Sequence, residues 1–270
     1  MIYRARFPED FWQAQNKEIY NKEVEGGYEI LASLSFKVVG LARNVERPLA
    51  QNMLRLRQLK EYCKKLSWCV YTNDNTDKTL EVLRYNEDFG HAIHDILDKK
   101  EHGSVECFDR YRDMAWYRNQ YLNQIQYTGA DIILVMDFDT HGFSYDGIAH
   151  SVYHMMNKSL DCIGANGLLY REYEGRTQRL YYDTLAFRRL NRKYGKPHDG
   201  EEINLMNYNR GQDLLKVQSA FGGMCLYNRK FINMKYLEDD CDHVTINRDL
   251  KEVYMNPSLI VLYSNNPYTV

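Results

Sequence analysis

The chain contains no C-x-x-C pair. Its six cysteines (Cys63, Cys69, Cys107, Cys162, Cys225 and Cys241) are scattered over 270 residues. That spacing argues against a zinc site or a disulfide framework and for a reducing compartment. No apolar run approaches the roughly 20 residues of a membrane span. Met1 leads into charged residues, so no signal peptide is expected, and with it a cytoplasmic location. Charge is nearly balanced at −2, and nothing global marks a nucleic-acid binder. There is no internal repeat and no low-complexity linker. What remains is a chain long enough for one large domain with a sizeable core. Its 23 tyrosines are read as ordinary half-buried core residues.

The most informative stretch is Asp131-Ile-Ile-Leu-Val-Met-Asp137-Phe-Asp139. Five apolar residues in a row suit a strand buried on both faces of a sheet. The two acids then fall at its carboxyl end, where open α/β sheets bind ligands. Carboxylates at i and i+2 repel unless a cation sits between them, and a hard divalent ion with oxygen ligands fits that place. Around this strand the pattern alternates. Residues 8–24 read as a helix ending before Gly26-Gly27, 36–42 as a strand, and Leu49 onward as a helix. Trp68–Thr72 reads as a strand and 73–77 as a capped turn. Residues 86–107 read as a loop with one short element, 110–127 as a helix, Ser144 as a helix cap, and 160–165 as a strand. Residues 171–213 read as long surface loops, Leu214–Ala220 and 257–263 as strand-like, and Val244 onward as a short helix. Strands alternating with helices predict an α/β fold with a mostly parallel central sheet and a looser, mixed C-terminal half. His141, His150 and His154 show no ligand-like partner in the sequence.

Val38-Val-Gly-Leu-Ala42-Arg43-Asn44, Asn73 to Thr79, Arg118-Asn119, Asp137-Phe138-Asp139, and Tyr182-Asp183 with Arg188 occur in an order that resembles GT-A fold glycosyltransferases. The nearest flavour is the capsule-associated mannosyltransferase-like group. The resemblance covers about residues 36–263. It implies a Rossmann-like catalytic domain over 35–270 behind an N-terminal helical extension (1–34). The nucleotide-binding half would be 35–140 and the acceptor half 141–270. It also implies a hexosyltransferase that uses Mn²⁺ or Mg²⁺, takes a UDP- or GDP-linked sugar, and delivers it to a hydroxyl of a glycan or glycoconjugate acceptor.

Residue by residue, the resemblance puts Asp137 and Asp139 on the metal and ribose, with Phe138 between them at the nucleotide. Ala42, Asn73 and Asp77 fall near the base, Arg43 near the base or a phosphate, and Arg112, Arg118 and Asn119 near the diphosphate. Arginine suits phosphate because its planar fork donates in pairs. Gly222 and Gly223 allow close backbone approach to a sugar, with Asp183 near the acceptor. In the late acidic cluster Glu238–His243, Asp242 is the first candidate base and Asp240 the second, with His243 as a further metal ligand. Two other readings stand beside this one. The first is a phosphatase of the haloacid dehalogenase type or a nucleotidyltransferase; against the phosphatase, Thr140 sits one position early for its Asp-x-Asp-x-Thr signature. The second is a sugar-binding module without catalysis.

Overall fold

The computed structural model describes residues 14–97, 109–190 and 205–263. Strand β4 (Ile132–Asp137) is the axis of the molecule. Its Ile132, Leu134 and Met136 enter one buried apolar cluster, while Ile133 and Val135 enter another on the opposite face. A strand covered on both sides needs no polar alternation, so its sequence is a continuous apolar run. Helices α2 (Glu46–Lys60) and α5 (Tyr145–Lys158) cover the first face, with Leu49, Met53, Leu56 and Leu59 of α2 and Ile148, Val152 and Met155 of α5. Helices α4 (Arg110–Ile125) and α6 (Asp242–Asn247) cover the second, through Tyr121, Leu122 and Ile125 and through Val244 and Ile246. Helix α3 (Thr79–Tyr85) follows the second strand.

Strands β1 (Ser35–Leu41), β2 (Lys65–Asn73) and β3 (Gly90–Asp95) run parallel to β4 in the order β3-β2-β1-β4. Their register aligns Leu41 with both Tyr71 and Asp137, and Asn73 with Asp95. The loops after β1, β2 and β4 therefore leave from one edge of the sheet. Beyond β4 the sheet becomes mixed. Strand β9 (Met224–Asn228) is antiparallel to β4, with Met224 opposite Met136. Strands β6 (Cys162–Tyr173), β10 (Val253–Leu262) and β5 (Gly142–Phe143) follow in that order. Because β9 runs backwards, its first residue lies at the carboxyl end of β4. This is the expected α/β architecture, parallel in its first half and mixed in its second.

Four expectations are corrected. Helix α1 spans Lys17–Leu31 and continues through Gly26-Gly27. The glycines serve packing rather than termination: a Cβ on Gly27 would lie 2.0 Å from the Ala149 carbonyl oxygen of α5. Residues 171–181 are not loop, because β6 continues to Tyr173 and pairs with β7 (Arg176–Tyr181) as a hairpin. The later part of that presumed loop, 191–204, lies outside the described residues, as do 98–108 of the earlier one. Within Leu214–Ala220 only β8 (Leu215–Lys216) is a strand. Ser144 occupies the start of α5 without a side-chain cap; its Oγ instead donates to the Ser258 carbonyl and accepts from the Ile260 amide.

A fifth correction concerns histidine. His150 and His154 do have a partner, Glu23 of α1, which α1–α5 packing brings across 127 residues of sequence. No helix among the described residues is long and apolar enough to cross a membrane.

Candidate functional site

The carboxyl end of β4 meets the turn before β9. The Asp137 amide donates to the Gly223 carbonyl at 3.0 Å. Gly222 and Gly223 hold φ of +60° and +87°, a region that only glycine enters freely. Both positions are also crowded. A Cβ on Gly222 would lie 2.2 Å from the Ala165 carbonyl oxygen, and one on Gly223 2.6 Å from the Tyr263 hydroxyl. The Gly222 amide donates to Asp183 Oδ2 at 3.1 Å, and the Ala186 amide donates to Asp183 Oδ1 at 3.2 Å. Tyr263, at the end of β10, donates to Asp137 Oδ2 at 3.2 Å and stacks on Tyr182 with ring centres 3.5 Å apart. One glycine turn thus draws together Asp137, Asp183, Tyr182 and Tyr263. The sequence reading missed Tyr263. Its signal was its position, one residue beyond the last strand of an α/β sheet.

The two acids of the pair differ. Asp137 accepts from Arg118 Nη2 at 3.0 Å as well as from Tyr263. Burial pushes it up while Arg118 pulls it down, and burial wins. Asp139 lies exposed at the rim and has no ion pair among the described residues. The protein mass around it, reinforced by the Asp137 charge, pushes its carboxyl up to about 6. The turn that carries both is pinned from below: Asn52 of α2 donates to the Phe138 and Thr140 carbonyls at 3.3 and 2.7 Å. The Phe138 ring is fully buried in the core, so only its backbone faces the turn.

Arg118 is almost fully buried on α4, with 2% of its side chain exposed. It is a bridge rather than an open phosphate hook. Its Nε donates to Asp242 and its Nη2 to Asp137, while Nη1 has no hydrogen-bond partner among the described residues. The two carboxylates lift the guanidinium above its ordinary value in spite of burial. Asp242 receives Arg118 on Oδ2 and the Cys241 thiol on Oδ1 at 3.3 Å. Burial would raise its carboxyl, but Arg118 holds it well below the usual range. Asp183 behaves oppositely. Burial pushes it up to about 6 against its two backbone donors.

The remaining expected residues are placed as follows. Asp240 is buried and paired with Arg188 at 3.1 Å. The buried His243 ring stacks on Phe221, with centres 3.4 Å apart. Its nitrogens have no hydrogen-bond partner among the described residues, and Nε2 lies 3.7 Å from Asp242 Oδ2. His243 does not join Asp137 and Asp139 in a compact ligand set. Among the described residues, the three-residue group with ligand atoms within 4.8 Å of one another is Glu23, His150 and His154. Asn119 donates to and accepts from the Tyr236 backbone. Arg112 is half-exposed and pairs with Asp113 at 3.2 Å. Asp77 accepts from the Thr79 and Glu46 amides at 2.9 Å each and so tethers the starts of α3 and α2. Asn73 is buried at the end of β2 and donates to Asp74. Ala42 is buried with its amide on the Tyr71 carbonyl, while Arg43 beside it is exposed.

No protein-family model and no curated protein matches the chain. Solved structures do. The mannosyltransferase PcManGT from Pyrobaculum calidifontis, in complex with GDP-Man and Mn²⁺, matches with a TM-score of 0.51 at 13% identity, over 92% of this chain and 66% of that one. S. aureus TarS in complex with UDP-GlcNAc matches with a TM-score of 0.50 at 10% identity, over 87% and 60%. Glucosyl-3-phosphoglycerate synthase from Mycobacterium tuberculosis, in complex with Mn²⁺, UDP and phosphoglyceric acid, matches with a TM-score of 0.50 at 15% identity, over 91% and 76%. The chain thus spans less than two thirds of the TarS and PcManGT chains. At these identities the likeness is one of architecture, and the chain has a GT-A-like α/β fold, similar to that of nucleotide-sugar-dependent glycosyltransferases.

Proposed function

We propose that this chain is a metal-dependent hexosyltransferase that moves a sugar from a UDP- or GDP-linked donor to a hydroxyl of a glycan acceptor. The observation that carries the reading is Asp139. A carboxylate with no ion pair among the described residues, two positions from a second carboxylate at the end of the central strand, is a site that a cation would relieve. Asp137 and Asp139 are the residues that would hold Mn²⁺ or Mg²⁺. When bound there, the ion supplies positive charge to the departing diphosphate. His243 is left out of this set because its ring is stacked and buried away from a three-ligand geometry.

The chain's own residues do the rest. Arg118 and Tyr263 orient Asp137, and the Asn52 amide fixes the turn that presents Asp139. Arg43, on the loop after β1, and Asn73, the last residue of β2, lie at the same sheet edge and are proposed on the base side. Asp183 is better suited than Asp242 to take the acceptor proton. A base works best when its pKa lies near the working pH; Asp183 is raised towards it, and Asp242 is held far below by Arg118. Two backbone donors also fix the orientation of Asp183. Against the phosphatase alternative, Thr140 sits one position early for the Asp-x-Asp-x-Thr signature and the acids end the fourth strand of the chain rather than the first.

Calorimetric titration of UDP and GDP with and without Mn²⁺ tests the reading. Wild type should bind one of them more tightly with the ion, and Asp139→Asn should lose that gain. A nucleotide affinity indifferent to Mn²⁺ in wild type would end the proposal. Asp183→Asn should keep donor binding and lower turnover by about 10²–10⁴-fold, and full activity in that variant would remove Asp183 as the base.

A further inference from the structure

A second cluster of ligand atoms lies away from the glycine turn, between α1 and α5. His150 and His154 stand one turn apart on α5, and their Nε2 atoms lie 3.2 Å from each other. Glu23 of α1 completes a triangle, its Oε2 lying 3.0 Å from His150 Nε2 and 3.4 Å from His154 Nε2. Two histidines at i and i+4 on one helix face are a recurrent metal-binding pair. A tetrahedral Zn²⁺ with bonds of about 2.0–2.1 Å sets its ligand atoms roughly 3.3 Å apart, and the three observed edges bracket that value.

Hydrogen bonding alone satisfies this group poorly. Asn256 Nδ2 lies 3.1 Å from His150 Nδ1, and its amide orientation is set by the Ser258 amide, which donates to Asn256 Oδ1 at 2.8 Å. His150 Nδ1 is then the acceptor, and its proton sits on Nε2. That one proton faces two acceptors, the Glu23 carboxylate and His154 Nε2. His154 must carry its own proton on Nδ1, which is buried with no partner among the described residues. Two lone pairs compete for one proton there, and a cation in its place would satisfy all three ligand atoms.

We propose that Glu23, His150 and His154 form a divalent-metal site that takes Zn²⁺ and clamps α1 to α5, separate from the Asp137–Asp139 pair. The His₂Glu donor set favours a borderline ion such as Zn²⁺ over the harder Mg²⁺ or Mn²⁺. The histidines are buried, while the Glu23 side chain keeps 23% of its surface exposed, so the cluster meets solvent on its Glu23 side. Occupation moves the His150 proton from Nε2 to Nδ1 and breaks the contact of Nδ1 with Asn256, whose amide keeps its hydrogen bonds to Ser151 Oγ and from the Ser258 amide. The atoms balance because no proton leaves the imidazole.

The test uses the full chain, stripped with a chelator and then titrated with Zn²⁺ against a chromophoric competitor. Co²⁺ serves as a spectroscopic substitute. Wild type should take up one equivalent at this site, show the visible absorption of tetrahedral Co²⁺, and melt at a higher temperature with Zn²⁺ than without. Glu23→Gln and His154→Gln should each weaken Zn²⁺ by about 100-fold or more and lose the Co²⁺ spectrum. Asp139→Asn should leave both unchanged. Glu23 is partly exposed, so its variant should fold even if the His154 variant does not. Zn²⁺ binding that survives Glu23→Gln at wild-type strength, or that disappears in Asp139→Asn, would overturn the assignment.

Discussion

Replacing Arg118 by methionine should be the most destabilising single change at the carboxyl end of β4. The guanidinium is 2% exposed and bridges Asp137 and Asp242, whose side chains are 26% and 10% exposed. A methionine fills similar volume but leaves two carboxylates facing each other without a cation. Removing one partner of a buried ion pair costs about 3–5 kcal/mol, because the surviving charge is stranded. The Asp137 share is partly screened by solvent, so the loss should fall in that range rather than double it. The pH dependence follows from the acids. In wild type Asp242 is held well below its ordinary value, so its stabilisation is present above the unfolded pKa and is lost as pH falls through the folded one. In Arg118→Met both acids should titrate above their ordinary values, so the penalty is full at about pH 7.5 and shrinks towards about pH 4 as they protonate. Urea unfolding at the two pH values, with an unchanged m-value, measures it. Adding Asp242→Asn to the variant should recover part of the loss. A cost below about 1 kcal/mol at neutral pH, the size typical of an exposed pair, or an equal cost at both pH values, would refute the bridge.

Asp139→Asn should slightly raise the melting temperature in the absence of metal. A carboxyl pushed up to about 6 ionises more readily in the unfolded chain, so the difference should be absent below about pH 4, build between about pH 4 and 6, and be full above that; a lower melting temperature at pH 8 would contradict this. Gly223→Ala should cost at least about 1–2 kcal/mol for its left-handed backbone alone, with more from the Tyr263 contact, and should loosen Mn²⁺-supported nucleotide binding in a calorimetric titration. Gly27→Ala should force α1 off α5, since its Cβ meets backbone at 2.0 Å, and limited proteolysis should then cut within residues 17–31 faster than in wild type.

Local chemistry wrote the central strand into the sequence. Five apolar residues ending in two acids already specified β4 (Ile132–Asp137), because a strand buried on both faces must be apolar throughout. The helices whose apolar residues recur at helical spacing, α2, α4 and α5, were legible for a similar reason. So was the turn at Gly222-Gly223, although its positive φ values and crowding belong to the fold. The β6–β7 hairpin was hidden: its Arg, Tyr, Thr and Gln residues look like loop, and they form strands because antiparallel pairing satisfies their backbone without an apolar face. Gly26-Gly27 looked like a helix end, since a glycine's local preference cannot reveal that a second helix crosses there. The charge relations were also beyond reach. Arg118 and Asp242 stand 124 residues apart, and Arg118 could be read as a phosphate ligand until packing closed it between two carboxylates. Asp183 and Asp242 are the same side chain in sequence, yet the fold pushes one up towards neutrality and holds the other far down. Residue type and local pattern determined the central strand and the kinds of chemistry available. Burial and long-range pairing, which exist only after the chain has folded, decided which acids are open, which are bridged, and that Glu23 meets two histidines.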